Sequence, residues 1–325
     1  LLPLVKMHVD NQHQPGMFWL TGSQQFLMMK GVSETLAGRV AVLNLLGLSC
    51  RERHQLHLDL PPFLPTRSTV RQREASAAGS DLKSVYHDIW LGAFPSLTAG
   101  PVRNRDLFYS SYLQTYLQRD VKDLAQVGND MAFVRFLRAC AARTGQLLNL
   151  TAVARDADVA VNTAKNWLSI LQASFQIFLL QPYFANTTKR LVKSPKLYFL
   201  DTGLAAYLTE WSSPETLEAG AMSGAILETY VLTELIKSWW HRGKMPQIYY
   251  YRDRDGQEVD FLFSQDQTVY PVEVKKTASP KREMAQPFTV LGRLKQPIGQ
   301  GAVVCLCPQI VPLTSNIDAV PVGVL

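Results

Sequence analysis

The 325 residues are enough for two domains and leave little room for three. With 47% apolar, 10% aromatic and 18% charged residues, the composition is globular and excludes a disordered, collagen-like or disulfide-scaffold chain. Lysine and arginine number 33 against 27 aspartate and glutamate, and the resulting net charge of +6 permits nucleic-acid binding without demanding it.

The four cysteines (Cys50, Cys140, Cys305, Cys307) are too scattered for a disulfide framework, so a reducing compartment is expected. Cys305 and Cys307 lie in an apolar run and read as buried free thiols, since no second Cys/His pair has ligand spacing. No apolar run is long enough to span a bilayer, and the opening residues lack signal-peptide order. The expectation is a soluble cytoplasmic protein without a membrane partner. The chain opens on leucine in mid-pattern, so a natural N-terminus upstream is expected.

In chain order, residues 1–49 begin with a short helical stretch. The apolar run Met17-Phe18-Trp19-Leu20 then predicts a buried strand that ends in Thr21-Gly22-Ser23. Residues 24–30 and 34–39 read as helical, and 40–46 as a second buried strand. Residues 50–88 mix Arg51, Arg53, Arg67, Arg71 and Arg73 with Pro61, Pro62 and Pro65, which predicts an exposed linker. His54 and His57 have metal-like spacing there, but without a third ligand they read as solvated.

Residues 89–210 are mostly helical by period. Asn149 or Thr151 offers an N-cap for one helix, and a second follows from residue 161 with Ala164, Trp167, Leu168 and Leu171 on its apolar face. Asn162, Thr163, Lys165 and Asn166 would then face outward, suited to phosphate and base-edge contacts. Two strands, 177–180 and 197–200, flank the basic stretch Lys189, Arg190, Lys193 and Lys196. Helix-turn-helix plus basic wing is a DNA-binding pattern, and a purely structural module with a solvated hairpin fits the same residues.

Residues 211–325 predict a helix over 224–240, strands over 247–252, 258–263 and 269–275, a helix over 281–294 and a strand over 301–306, hence an α/β sheet domain. The sharpest chemistry is here. Asp260 lies on one strand, and Glu273 and Lys275, two apart, share a face of the next. A turn between them makes a hairpin that brings Asp260 beside Glu273. Two converging carboxylates suit a hard cation such as Mg²⁺, and the ammonium could orient a metal-bound water. A surface hairpin with cross-strand ion pairs explains the same charges.

Helix Glu228, strand Asp260 and strand Glu273-Val274-Lys275 resemble the PD-(D/E)xK nuclease superfamily, in particular its Holliday-junction-resolvase-like branch. The resemblance implies that Asp260 and Glu273 bind metal, that Val274 offers its carbonyl, that Lys275 acts on the attacking water and that Glu228 supports the metal shell. At the other end, Phe18-Trp19-Leu20-Thr21-Gly22-Ser23-Gln24-Gln25 and Glu34-Thr35-Leu36-Ala37-Gly38-Arg39-Val40 resemble the second half of a prokaryotic AAA-type ATPase core. Tyr112-Leu113-Gln114-Thr115-Tyr116-Leu117-Gln118-Arg119-Asp120-Val121 resembles a hallmark of the domain appended to those ATPases.

That family implies a nucleotide-sensing role for Ser23 and an arginine-finger or sensor role for Arg39. The sequence departs from it decisively: no Gly-x-x-x-x-Gly-Lys-Ser/Thr phosphate loop occurs, so ATP hydrolysis by this chain is not expected and ATP belongs to a fuller relative. The expected architecture is mixed α/β and α. It comprises a remnant of a P-loop AAA-type sheet (1–49), a linker (50–88), a helical middle with a winged helix (89–210) and a restriction-endonuclease-like α/β domain (211–325). Three readings stay open: the C-terminal portion of an AAA-type ATP-binding protein, a Mg²⁺-dependent DNA endonuclease, and a non-catalytic module binding DNA or protein.

Overall fold

The computed structural model describes residues 1–22, 32, 35–56, 59–75, 77–79, 81–116, 130–184 and 194–325. They form a mixed α/β structure with two open sheets. Helix α1 (Leu2–Gln12) opens the chain and packs through Val5 on Val32 and Leu36. Neither 17–20 nor 40–46 is a strand, contrary to the sequence expectation. Trp19 is 82% exposed and Leu45 74%. An apolar run becomes a strand only by pairing its backbone with a neighbour, and both sheets are built from residues beyond 145. The AAA-type sheet expected of 1–49 is therefore absent among the described residues.

The described residues of 50–88 are not an exposed linker. Helices α2 (Cys50–Arg53), α3 (Arg67–Glu74) and α4 (Leu82–Leu91) pack against the rest of the chain, and Phe63, Val70, Arg51 and Arg73 are buried. Arg73 donates to the carbonyls of Pro61 at 2.9 Å and of Leu325, while Arg67 Nε meets Asp318 at 3.0 Å. Arginine-rich composition misleads because a long stem packs on apolar surface while its fork of donors finds backbone carbonyls.

The helical middle contains α5 (Arg105–Tyr116), α6 (Asp130–Ala141), α7 (Leu150–Ala157) and α8 (Val161–Ala173). Asn149 caps α7, its side chain accepting from the Ala152 amide at 3.0 Å. On α8, Ala164, Trp167, Leu168 and Leu171 are buried as the period requires, and Trp167 meets Phe133 and Phe136 edge-on at 5.1 and 5.5 Å. Strands β1 (Gln146–Leu147), β2 (Ile177–Leu180) and β3 (Lys196–Phe199) form an antiparallel sheet with β3 central. After β3, α9 (Thr202–Leu208) is capped by Asp201, which also accepts from the Tyr109 hydroxyl at 2.9 Å and the Ala93 amide at 2.8 Å. Gly92 has φ +85 in this crossing, and a Cβ there would collide with Tyr109 and Asp201.

The end of the chain forms the six-stranded sheet β4 (Ile248–Arg252), β5 (Glu258–Gln265), β6 (Thr268–Lys275), β7 (Gly301–Cys305), β9 (Ile317–Pro321) and β8 (Val311–Pro312), in that spatial order. The β4–β5–β6 meander is antiparallel, and β7 and β9 continue it in parallel. Helix α11 (Ser223–Trp240), preceded by the short α10 (Pro214–Ala219), covers one face. The sequence-predicted helix over 281–294 is a 3₁₀ segment, Arg282–Arg293, with Pro287 inside it, and it covers the other face. A proline lacks the N–H that an α-helical interior needs. All four cysteines are buried and free, Cys305 and Cys307 as expected. One core runs from Phe63 and Tyr86 through Trp167 and Tyr198 to Phe261 and Val324, so the helical middle and the end domain share it.

Candidate functional site

The β5–β6 register, with Phe261 opposite Val272, carries Asp260 and Glu273 to adjacent positions. The Asp260 carboxylate accepts the Val274 amide at 2.9 Å, and the Glu273 carboxylate lies 3.4 Å from the Asp260 amide. Lys275, two residues on along the same face, donates to Glu273 at 2.7 Å. The hairpin thus gathers Asp260, Glu273 and Lys275 as the sequence predicts. Glu228 comes from the second turn of α11, on the sheet's flank.

Lys196 completes the cluster in a way the sequence reading missed. Expected on a basic wing toward DNA, it is instead only 4% exposed on β3 and points into the carboxylates. Its Nζ donates to Glu228 at 3.0 Å, pairs with Glu258 and stands 4.0 Å from Asp260. Tyr198, two residues on and therefore on the same face of β3, donates its hydroxyl to Glu228 as well. Glu228, expected to support a metal shell, is accordingly engaged by an ammonium and a phenol. One signal was available in the sequence: a lone lysine in the otherwise apolar run Lys196-Leu197-Tyr198-Phe199 is more costly to bury than to expose unless acids meet it. Glu258, two before Asp260, is a second.

Electrostatics follow from burial and crowding. Burial raises the Asp260 carboxyl well above the usual range, repulsion from Glu228 and Glu273 adds to this, and Lys196 and the Val274 amide only partly offset it. Burial likewise raises Glu273 against the pull of Lys275. For Lys196 burial favours the neutral form, yet Glu228, Asp260 and Glu258 together outweigh it and hold the ammonium above its ordinary value. Lys275 behaves the same way, with Glu273 overcoming burial.

In kind, the donors fit a hard divalent cation, which takes carboxylate oxygens. In placement they are already partnered: Glu273 by Lys275, one Asp260 oxygen by the Val274 amide, Glu228 by Lys196. Among the described residues, the set of three His/Cys/Asp/Glu ligand atoms within 4.8 Å of one another is Cys50, His54 and Asp88. His54 therefore has the neighbours that the sequence did not reveal. This second set is poorly charged for a cation, because Arg53 Nη2 lies 3.3 Å from Asp88 and burial pushes the Cys50 thiol up to about 11.

Arg39 is exposed and forks onto Asp10 of α1, with Nη2 at 3.2 Å. Asn162 and Lys165 are exposed and Thr163 half-buried on α8. Ser23, Lys189, Arg190 and Lys193 lie outside the described residues, as does the 112–121 run after Tyr116. No described helix is long and apolar enough to cross a membrane.

Fold and site together define an α/β end domain with a convergent acid–lysine hairpin, joined through one core to a helical middle. Comparison with known proteins adds a family context. Residues 1–54 match an AAA domain, 83–215 a domain of unknown function (DUF8612) and 223–325 another (DUF4143). The AAA match is consistent with an AAA-like ATPase family. The chain is 31% identical over 285 residues to uncharacterized proteins of Mycobacterium bovis (Mb2031c) and Mycobacterium tuberculosis (Rv2008c). The alignment covers 86% of this chain and 57% of each relative. No solved structure matches the chain at a significant level.

Proposed function

We propose that the chain is the C-terminal portion of an AAA-type ATP-binding protein, carrying a winged-helix middle and a PD-(D/E)xK-type end domain that associates with DNA. The observation that carries this reading is the pairing of an AAA match at residues 1–54 with the Asp260–Glu273–Lys275 hairpin in the same chain. Exposed Trp19 and Leu45 suit a surface that further strands of an ATPase core would bury. Ser23 and Arg39 would face nucleotide in such a core, whereas this chain alone, without a phosphate loop, is not expected to turn over ATP. DNA would lie along Asn162, Thr163 and Lys165 of α8 and the basic residues Lys189, Arg190 and Lys193, with Lys196 withdrawn into the acid cluster. Fluorescence anisotropy with linear and branched DNA tests this. Binding should weaken with salt and with alanine at Lys165, Lys189, Arg190 and Lys193. Undetectable binding at low salt, or binding indifferent to those charges, removes the DNA part of the proposal.

The hairpin geometry favours a second reading, a Mg²⁺-dependent DNA endonuclease. Asp260 and Glu273 would hold the metal, with the Val274 carbonyl, and Glu228 would steady the set. The metal would activate a water and stabilise charge on phosphate. Lys275, 2.7 Å from Glu273, would orient a water at that carboxylate. Purified protein with Mg²⁺ should cleave branched DNA, and Glu273→Ala or Lys275→Ala should lower the rate about 100-fold or more. Equal inertness of wild type and variants would rule out catalysis and leave the non-catalytic DNA or protein module.

A further inference from the structure

We infer that Lys196 is a built-in cation that competes with a divalent metal for the end domain's carboxylates, so that the helical middle governs whether the site takes metal. The inference rests on the metal-site reading of Asp260 and Glu273. Lys196 does not belong to the acid hairpin. It is supplied by β3, the central strand of the small sheet, and reaches across the junction between the two parts of the chain.

Its position is held from several sides. β1 and β2 pair with β3 on either edge, the Phe199 amide donates to Thr144 Oγ1 at 3.1 Å, and Thr144 meets Thr229 of α11 at 2.9 Å. Tyr198 fixes Glu228 from the same strand face. The ammonium therefore stands among Glu228, Glu258 and Asp260, contributed by α11 and β5, at a point where three carboxylates converge.

Arg252, 3.6 Å from Glu258 and partly exposed, adds a second cation at that acid. A divalent cation at Asp260 and Glu273 would draw on Asp260, with Glu228 in support, and must compete there with an ammonium that the strand holds in place. Lys275 sits differently: it is more exposed and pairs with Glu273, whereas Lys196 pairs with Glu228 and Glu258. The two lysines thus have separate tasks, Lys275 at the hairpin and Lys196 as the occupant of the convergence point.

Mn²⁺ titration of the full chain, read by the electron paramagnetic resonance of free Mn²⁺ and by thermal unfolding, tests this without reference to cleavage. Lys196→Met should bind Mn²⁺ about tenfold or more tightly than wild type, and Mn²⁺ should raise its Tm more. Adding Asp260→Asn should abolish the gain. Should Lys196→Met fail to fold with three acids unopposed, Lys196→Gln with Glu258→Gln keeps the net charge and should gain affinity in the same direction. Equal, measurable affinity in wild type and variants overturns the role of Lys196 and leaves the metal site standing. No Mn²⁺ binding by any of them overturns both, and a gain that survives Asp260→Asn overturns the inference by locating the ion elsewhere.

Discussion

Glu234→Ala is expected to destabilise the fold by about 3–5 kcal/mol, the range for breaking a buried ion pair from one side. Glu234 and Lys237 lie one turn apart on α11, both almost wholly buried, with Nζ to Oε1 at 2.8 Å. The second Glu234 oxygen accepts the Cys50 amide at 2.7 Å, and Lys237 also donates to the Leu48 carbonyl at 3.1 Å. Alanine would leave a buried ammonium without its anion and the first turn of α2 without an acceptor. Chemical denaturation measures the loss. Glu234→Gln, which keeps an acceptor for the Cys50 amide, should lose less, and Glu234→Met with Lys237→Met should recover most of the stability because no charge is stranded. A loss for Glu234→Ala within about 0.5 kcal/mol, typical of surface changes, would mean water reaches the pair.

The same pair joins the AAA-matching end of the chain to the end domain. His241 reinforces it, receiving the Leu46 amide on Nε2 at 3.2 Å and standing 3.2 Å from Glu52 through Nδ1. Burial alone would raise Glu52, but hydrogen bonds from His241 and the Ser49 amide bring it down to about 2. A lowered acid contributes stability that is complete above its unfolded value, near 4.5, and is lost as pH falls from there toward 2. Limited proteolysis should accordingly release the segment around residues 46–54 more readily at pH 3 than at pH 6, and Glu52→Gln should remove most of that difference.

Local chemistry was legible wherever a residue's neighbours in sequence decide its fate. The Asn149 cap, the buried stripe of α8 and strands β4 to β7 follow from capping oxygens and from periods of 3.6 and 2. The Asp260–Glu273–Lys275 constellation was legible too, because a short turn fixes the hairpin register. What depends on distant partners was not. The apolar runs at 17–20 and 40–46 carry strand composition but find no described strand to pair with. Arg73 reads as a linker charge and is buried because carbonyls of Pro61 and Leu325 await it. Lys196 is the sharpest case: its wing-like context points outward, whereas the acids that draw it inward lie 32 and 62 residues further along.

Asp260→Asn is expected to stabilise the protein, on the order of 1–3 kcal/mol, while removing whatever metal or nuclease function the site has. Burial and the repulsion of Glu228 and Glu273 make the ionised Asp260 costly, so the folded state holds its proton to higher pH than the unfolded chain. The sign follows from linkage. Between the ordinary aspartate range near 3.8 and the raised folded value, the unfolded chain has released a proton that the folded one retains, and stability falls as pH rises through that window. Asparagine keeps an oxygen for the Val274 amide and removes the charge, so its advantage should be small at pH 4 and grow toward pH 8. Thermal unfolding across that range measures it. The reverse result, a variant less stable than wild type at pH 8, would mean that the attraction to Lys196 outweighs the crowding of carboxylates. Asp260 would then be a structural partner of that lysine, and the cluster an internal ion-pair network. Stability given up at a site for charges that the fold itself does not need is the physical mark of function, and the slope of Tm with pH decides whether this cluster bears it.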